Sequence, residues 1–163
     1  MSIYAKNTVV SVEKSRAEIE GILTRYGATA FAYATNMDKA MIQFQAQGRR
    51  IMFVLNLPDP KEDRFIYPTR AGKIVKWRGE RPPEAARKDW EQACRQKWRC
   101  LALAIKAKLE SVQSGIATFE DEFLAHIVMP DGKTISHHVR PQIENAYATG
   151  KIPPMLPNFG EKE

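Results

Sequence analysis

Three short β-like segments joined by tight turns limit the folds open to this chain. Residues 28–35 (ATAFAYAT) alternate small and aromatic side chains, residues 40–46 (AMIQFQA) alternate again, and residues 49–57 (RRIMFVLNL) are rich in β-forming side chains. Asn36-Met-Asp-Lys39 and Gln47-Gly48 separate them, and turns this short join antiparallel neighbours. The pattern predicts a three-stranded antiparallel meander, whose apolar face must be covered by helices from other parts of the chain.

Four segments with helical periodicity can supply that cover. Residues 11–26 begin at the N-cap candidate Ser11, and residues 118–127 and 135–148 form two shorter segments. The longest helix is predicted over about 84–114, where apolar side chains recur at steps of three and four. This apolar stripe consists of Trp90, Cys94, Trp98, Leu101, Ile105, Leu109 and Val112. We therefore expect an α+β fold in which about four helices pack on the meander.

The chain is expected to form one α+β domain over residues 1–150. Within it, the proline-rich residues 58–83 predict a long basic loop, with a short strand pair around Phe65–Tyr67 and Lys73–Trp77. Residues 151–163 hold three prolines followed by a charged end, which indicates an extended tail, either mobile or docked on a neighbouring subunit.

Neither a membrane span nor a secretory signal is predicted. The apolar runs are too short for a transmembrane helix, and the first residues (MSIYAK) lack the apolar region of a signal peptide. The two cysteines, Cys94 and Cys100, lie six apart on one predicted helix and point away from each other, so we expect free thiols. These features predict a cytoplasmic protein.

Charge is distributed unevenly along the chain, whose net charge is +6. Residues 61–108 contain fourteen Lys or Arg and six Asp or Glu, a net charge of +8, whereas residues 109–163 have a net charge of −4. Such segregation is typical of proteins that bind a polyanion. The sequence therefore predicts a nucleic acid as partner.

Aromatic side chains interleaved with the cations favour a single-stranded nucleic acid. Cations bind the phosphates while exposed aromatic rings stack on bases, each stacked base contributing about 1–3 kcal/mol. Trp77 stands between Lys76 and Arg78 in the predicted loop, and for this ring base stacking and internal packing are equal alternatives. Trp90 and Trp98 lie on the apolar stripe and are expected in the core.

The long helix is predicted to present a narrow basic ridge. Its four cations, spaced seven, four and seven apart, fall within about 40° of each other on a helical wheel. Together with the loop and the start of the third strand, they complete the predicted binding surface. The predicted nucleic-acid-binding residues are Arg49, Arg50, Arg64, Arg70, Lys73, Lys76, Trp77, Arg78, Arg81, Lys88, Arg95, Arg99 and Lys106.

Two other functions stay open at this level. A regulatory module that binds an acidic host protein would share the basic surface without needing exposed aromatic rings. A metal-dependent nuclease would need clustered ligands, but residues 120–122 (EDE) are explained by the first turn of a helix, and the three histidines have no evident catalytic partner. We predict no catalysis and no cofactor.

The sequence resembles a family of small phage- and prophage-encoded proteins. The resemblance rests on VEKSRAEIE from Val12, RYGATAF from Arg25, GRRIMFVLNLP from Gly48, and the long stretch from Glu91 to Lys133 that begins EQACRQKWRC and ends IVMPDGK. It implies a role in phage DNA metabolism through binding of single-stranded DNA, and it implies no catalytic residues. We therefore expect a sequence-tolerant binder of single-stranded DNA, with RNA as the alternative strand, that acts as a homo-oligomer in the host cytoplasm.

Overall fold

The computed structural model describes residues 4–36 and 38–157, and it has the α+β architecture expected from the sequence. The helices are α1 (Val12–Arg25), α2 (Asp63–Ile66), α3 (Pro83–Gln113), α4 (Phe119–Phe123) and α5 (Ile135–Thr149). The strands are β1 (Ala30–Thr35), β2 (Lys39–Ala46), β3 (Arg49–Asn56), β4 (Thr69–Arg70) and β5 (Lys73–Ile74). Two 3-10 turns cover Lys76–Arg78 and Leu124–His126. Over the described residues, no helix combines the length and apolarity needed to cross a membrane.

β1, β2 and β3 pair antiparallel in sequence order, which confirms the predicted meander. Phe44 of β2 lies opposite Phe31 of β1 on one side and Ile51 of β3 on the other. Gln47 and Gly48 connect β2 to β3 with φ angles of 49° and 73°. Two successive positive φ angles give a turn whose twist matches that of the flanking strands, so this turn fixes the register of the hairpin.

One face of the sheet holds the core, and α1 and α3 cover it. Every second side chain of β2, from Ala40 to Ala46, is buried, as the alternation of the sequence predicts. The helices contribute Ile19, Ile22 and Leu23 from α1, and Cys94, Trp98, Leu101, Ala102, Ile105 and Leu109 from α3. α4 adds Phe119 and Phe123, whose rings pack together at a centroid distance of 4.7 Å.

The two long core helices begin where the sequence predicts. The Ser11 hydroxyl accepts a hydrogen bond from the Lys14 backbone N–H at 3.2 Å and caps α1. Pro83 occupies the first position of α3, where its missing N–H costs nothing and its fixed φ suits the helix. Trp98 is fully buried as expected, whereas Trp90 is only partly buried.

The two edges of the sheet differ. Beside β3, Ile127 forms a bridge opposite Ile51, and the Val128 backbone N–H donates to the Arg50 carbonyl at 2.8 Å. Among the described residues, no strand pairs with the outer edge of β1, which bears no charged side chain. The sheet therefore has one edge that is covered at the start of β3 and one open edge at β1.

The helix predicted over 118–127 is shorter than expected. α4 ends at Phe123 and is followed by the 3-10 turn Leu124–His126. The helix cannot continue because Ile127 and Val128 must be extended to bridge to β3. This long-range contact outweighs the local helical pattern.

Residues 58–83 contain short regular elements that differ from the predicted strand pair. Phe65 and Ile66 belong to the short helix α2, and the strand pair is formed by Thr69–Arg70 and Lys73–Ile74. Phe65 is buried, and α2 contacts α3. The helical turn brings this apolar ring to the protein interior, which explains why the strand begins later than predicted.

α5 has no buried residue, and its main contact is with the 3-10 turn Leu124–His126. Ile143 and Tyr147, one helical turn apart, are exposed, and 89% of the Tyr147 surface is accessible. Residues 151–157 contain neither helix nor strand, and residues 158–163 of the predicted tail lie outside the described residues.

Candidate nucleic-acid interface

A compact basic element is formed by residues 69–78, which comprise β4, β5 and the 3-10 turn after them; we name it the basic hairpin. Its start and end are fixed because the Val75 N–H donates to the Pro68 carbonyl at 2.9 Å, and the Arg81 N–H donates to the Ile66 carbonyl at 2.7 Å. The Lys76 ammonium also lies 2.6 Å from a carboxylate oxygen of Asp63 in α2. The basic hairpin is thus attached to the helical part of the molecule at several points.

Two cations face each other at the tip of the basic hairpin. Arg70 and Lys73 are paired across the two strands, and Ala71 and Gly72 connect them with φ angles of 49° and 78°. Both cations are exposed, and neither forms an ion pair within the described part of the chain. Like charges directly opposite each other destabilise a strand pair, so an anion bound between them would relieve a repulsion that is already present.

Trp77 is the most exposed tryptophan, with 78% of its surface accessible. It lies in the middle of the 3-10 turn, and the Arg78 guanidinium is 5.3 Å from the centroid of its ring. An indole ring in water forfeits the stabilisation of about 1.5–3 kcal/mol that burial of a large apolar side chain provides. The structure therefore places Trp77 outside the core, where its ring can contact a ligand.

Three of the predicted loop cations are engaged with carboxylates. Arg64 lies 2.6 Å from Glu62, Lys76 lies 2.6 Å from Asp63, and Arg81 lies 2.7 Å from Asp89. The hydrogen bond to Asp63 raises the pKa of Lys76, so this ammonium stays charged at neutral pH. These three side chains hold the segment in place, whereas Arg70, Lys73 and Arg78 form no ion pair within the described residues.

The structure separates the four residues of the predicted basic ridge on α3. Lys88 and Lys106 are exposed. Arg95 is partly buried and donates from Nη2 and Nε to the side-chain oxygen of Gln92, at 2.6 and 3.0 Å. Arg99 binds the carboxylate of Glu18 on α1, and 23% of its side chain is exposed. The exposed cations of this face are therefore at its two ends, with no continuous row between them.

Arg49 and Arg50 lie at the end of the sheet far from the basic hairpin. They begin β3, and the chain enters residues 58–83 only after the other end of that strand. A rise of about 3.3 Å per residue over the eight residues of β3 separates the two ends by about 23 Å. Arg49 lies 3.9 Å from a carboxylate oxygen of Glu120. These two arginines and the basic hairpin do not form one compact surface.

Arg16 of α1 was not among the predicted residues, and the structure places it next to two aromatic rings. Its guanidinium carbon is 4.7 Å from the ring centroid of Tyr33 and 4.8 Å from that of Trp98. The sequence contains a signal that would have revealed it. Arg16 follows Val12 by four residues and precedes Ile19 by three, so a cation occupies the apolar face of a helix.

The acidic residues near α4 take part in local contacts. The Thr118 hydroxyl accepts from the Asp121 N–H at 3.1 Å and caps α4, as the sequence indicates. Hydrogen bonds from Ser111 and Lys108 lower the pKa of Glu122, whose carboxylate lies 3.2 Å from the Lys108 ammonium. Over residues 4–36 and 38–157, no group of three His, Cys, Asp or Glu side chains is arranged to hold a metal ion.

Comparisons with known proteins give no assignment. No family model, no curated protein and no solved structure matches this chain. The site is therefore interpreted from its own geometry.

Proposed function

We propose that this protein binds single-stranded DNA with little sequence preference, in the replication or metabolism of phage DNA in the host cytoplasm. The basic hairpin is the principal contact, with Arg70, Lys73 and Arg78 binding phosphates and Trp77 stacking on a base. Lys88 and Lys106 extend the contact along α3. RNA is the alternative strand.

The exposure of Trp77 is the observation that carries the proposal. A ring with 78% of its surface accessible, beside the Arg78 guanidinium that has no ion-pair partner among the described residues, is what single-strand binding requires. A surface that only kept the protein in solution would need the charges but not the ring. The rigid attachment of the basic hairpin lowers the conformational entropy that binding has to remove.

We propose that the active form is a homo-oligomer, and α5 supports this part of the proposal. A helix of fifteen residues is marginally stable in water without packing, and α5 has no fully buried residue and packs against the core through Ile135 at its start. Its exposed Ile143 and Tyr147 are suited to the same helix of a second copy. Several linked binding surfaces would increase affinity along a strand.

The test is a salt titration of binding to a labelled oligothymidine, measured by fluorescence anisotropy. Three phosphate contacts predict a slope of log affinity against log salt of about −2 or steeper. Exposed cations away from the proposed surface provide the control, so the double variant Lys14→Gln, Arg140→Gln should leave the slope unchanged. Absence of binding at low salt, or binding with no salt dependence, would contradict the proposal.

The same preparation separates the two other functions. A module for an acidic protein would bind polyglutamate as tightly as oligothymidine and would not depend on Trp77. A nuclease would shorten the oligonucleotide when magnesium or manganese is added, which a denaturing gel detects. We expect intact oligonucleotide and a clear preference for it over polyglutamate.

A further inference from the structure

A deep cleft of about 850 Å³ lies between the start of α1, the start of α3 and the segment that leads into the basic hairpin. Its walls are largely apolar and include Val12, Leu57, Ile66, Trp90 and Trp98. This volume lies within the range of about 300–1,000 Å³ that is typical of small-molecule sites. The cleft is thus large enough for a nucleotide.

Arg16 places a cation at the wall of the cleft. Its guanidinium is held between the rings of Tyr33 and Trp98, and its Nε–H is buried without a hydrogen-bond acceptor. Within the described residues it forms no ion pair. A buried donor left unbonded costs about 1–3 kcal/mol, so its presence needs an explanation. The two flanking rings provide part of one, since they cover the Nε–H. An anionic ligand in the cleft would accept from the other N–H groups of this guanidinium.

The charges around the cleft balance once the ion-pair partner of Arg81 is counted. Four arginines (Arg16, Arg81, Arg87, Arg95) and three glutamates (Glu13, Glu80, Glu91) line it. Arg81 and Arg87 have carboxylate partners, Asp89 and Glu91, whereas Arg95 is bonded only to the neutral side chain of Gln92. Among the described residues, Arg16 and Arg95 are the lining arginines without an ion-pair carboxylate, and Glu13 and Glu80 are the lining carboxylates without an ion-pair cation. A ligand anion would therefore bind at these two arginines in a cleft whose charges balance.

The tryptophan in the cleft is positioned for a flat ligand. The Trp90 Nε1–H donates to the Pro58 carbonyl at 2.7 Å, which satisfies its polar atom and fixes the indole. Its apolar ring is consequently available at the cleft wall, and Trp98 lies two turns further along α3. Trp98 is fully buried, so a planar ligand ring would stack on Trp90.

We propose that this cleft binds one nucleotide, with its phosphate on Arg16 and Arg95 and its base against Trp90. This inference rests on the proposed function and deepens it. The nucleotide is either a free nucleoside monophosphate or the phosphorylated end of the bound strand. Continuity along the chain favours the strand end, since Glu80 and Arg81 line the cleft and follow the basic hairpin directly.

The test is calorimetric titration of the full chain at low salt with thymidine monophosphate, thymidine and inorganic phosphate. We expect thymidine monophosphate to bind at least about tenfold more tightly than either fragment, because only it uses both the cation and the aromatic wall. Equal binding of phosphate alone would mean a simple anion site and would overturn the proposal.

Two variants locate the binding. Arg16→Met removes the cation and should weaken the binding of thymidine monophosphate at least about tenfold, which is the contribution of one charged hydrogen bond. Ala86→Phe fills the cleft from α3 without removing a polar group, and it should abolish binding. Thermal unfolding verifies that each variant is folded, and Ile116→Ala, which removes an exposed apolar side chain outside the cleft, serves as the control. Unchanged affinity in the folded Ala86→Phe variant would overturn the proposal.

Binding of oligonucleotides shows whether the cleft takes a free nucleotide or the phosphorylated end of a strand. It also tests single-strand binding separately from nucleotide binding in the cleft. If the strand end is bound, a 5′- or 3′-phosphorylated oligothymidine should bind more tightly than the unphosphorylated one, and Ala86→Phe should remove the difference. If the cleft takes free nucleotide, thymidine monophosphate should bind alongside the oligonucleotide without competition. Loss of all oligonucleotide binding in the wild type would refute the proposed function, whereas salt-dependent oligonucleotide binding without nucleotide binding would refute this inference alone.

Discussion

Arg99 of α3 binds the carboxylate of Glu18 on α1, so this cation fastens two core helices together. The contact lies at the helix pair that covers the sheet. It changes what the arginine is expected to do, because a guanidinium held by a carboxylate is less available to a phosphate.

Replacement of Arg99 should affect stability more than binding. We expect Arg99→Gln to lower the free energy of unfolding by about 1–2 kcal/mol, since a partly buried, charged hydrogen bond is lost. Affinity for oligothymidine should remain within about twofold of the wild type. Urea denaturation and anisotropy measure the two quantities, with the exposed Lys97→Gln on the same helix as control. A large loss of affinity with normal stability would show that Arg99 belongs to the binding surface.

Replacement of the two cations at the tip of the basic hairpin should affect binding more than stability. The double variant Arg70→Gln, Lys73→Gln removes two phosphate contacts and should reduce the salt slope by about 1.4. Because it also removes a repulsion across the strand pair, the free energy of unfolding should stay the same or rise by a few tenths of a kcal/mol. Salt titration and urea denaturation provide the measurements. An unchanged slope would exclude the tip from the interface.

Trp77→Ala should weaken the binding of oligothymidine by about 5- to 150-fold, which corresponds to the loss of one stacked base. Stability should barely change, since the ring is mostly exposed. Ile116→Ala, which removes another large exposed apolar side chain away from the basic hairpin and α5, is the control and should retain full affinity. If both variants bind equally well, stacking by Trp77 is not part of the function.

Stability should fall at mildly acidic pH because of His126. Burial is the main cause that lowers its pKa below the ordinary value of 6.5, and Lys108 acts in the same direction. The unfolded chain therefore takes up a proton more readily, and stability is lost as pH falls below about 6.5. His126→Phe keeps a ring beside Phe53, whose centroid is 4.0 Å away, and should flatten this dependence. Urea denaturation at pH 7.5 and 5.5 tests it, with the exposed His137→Gln as control.

α5 should determine the oligomeric state. We expect light scattering to show an oligomer for the wild type and a monomer for Ile143→Glu, since a charge on the exposed apolar face opposes helix packing. The exposed polar position Asn145→Glu on the same helix should leave the oligomer intact. A monomeric wild type at micromolar concentration would contradict this prediction.

The sequence predicts the sheet well because its signals are local. Alternation along residues 40–46 fixes which face of β2 is buried, and the Gln47-Gly48 turn fixes its pairing with β3. The start of α1 is likewise determined by a single hydrogen-bonding side chain, that of Ser11. In each of these cases neighbouring residues carry all the information that the structure uses.

The candidate site depends on contacts that periodicity does not encode. A helical wheel places Arg95 and Arg99 in line with Lys88, but it cannot show that Glu18 of another helix reaches Arg99. The same reason explains the early end of α4, where a bridge from Ile127 to β3 decides the conformation. Prediction of long-range contacts of this kind requires knowledge of how the helices and strands pack.

The unequal edges of the sheet limit how copies of this chain could join through their strands. Val128 is bonded beside Arg50 at the start of β3, whereas β1 has no strand partner on its outer side among the described residues. Two copies that met at β1 about a twofold axis would each use up this open edge. The result would be a closed pair sharing one continuous sheet, and the segment bonded at the start of β3 would hinder strand pairing there.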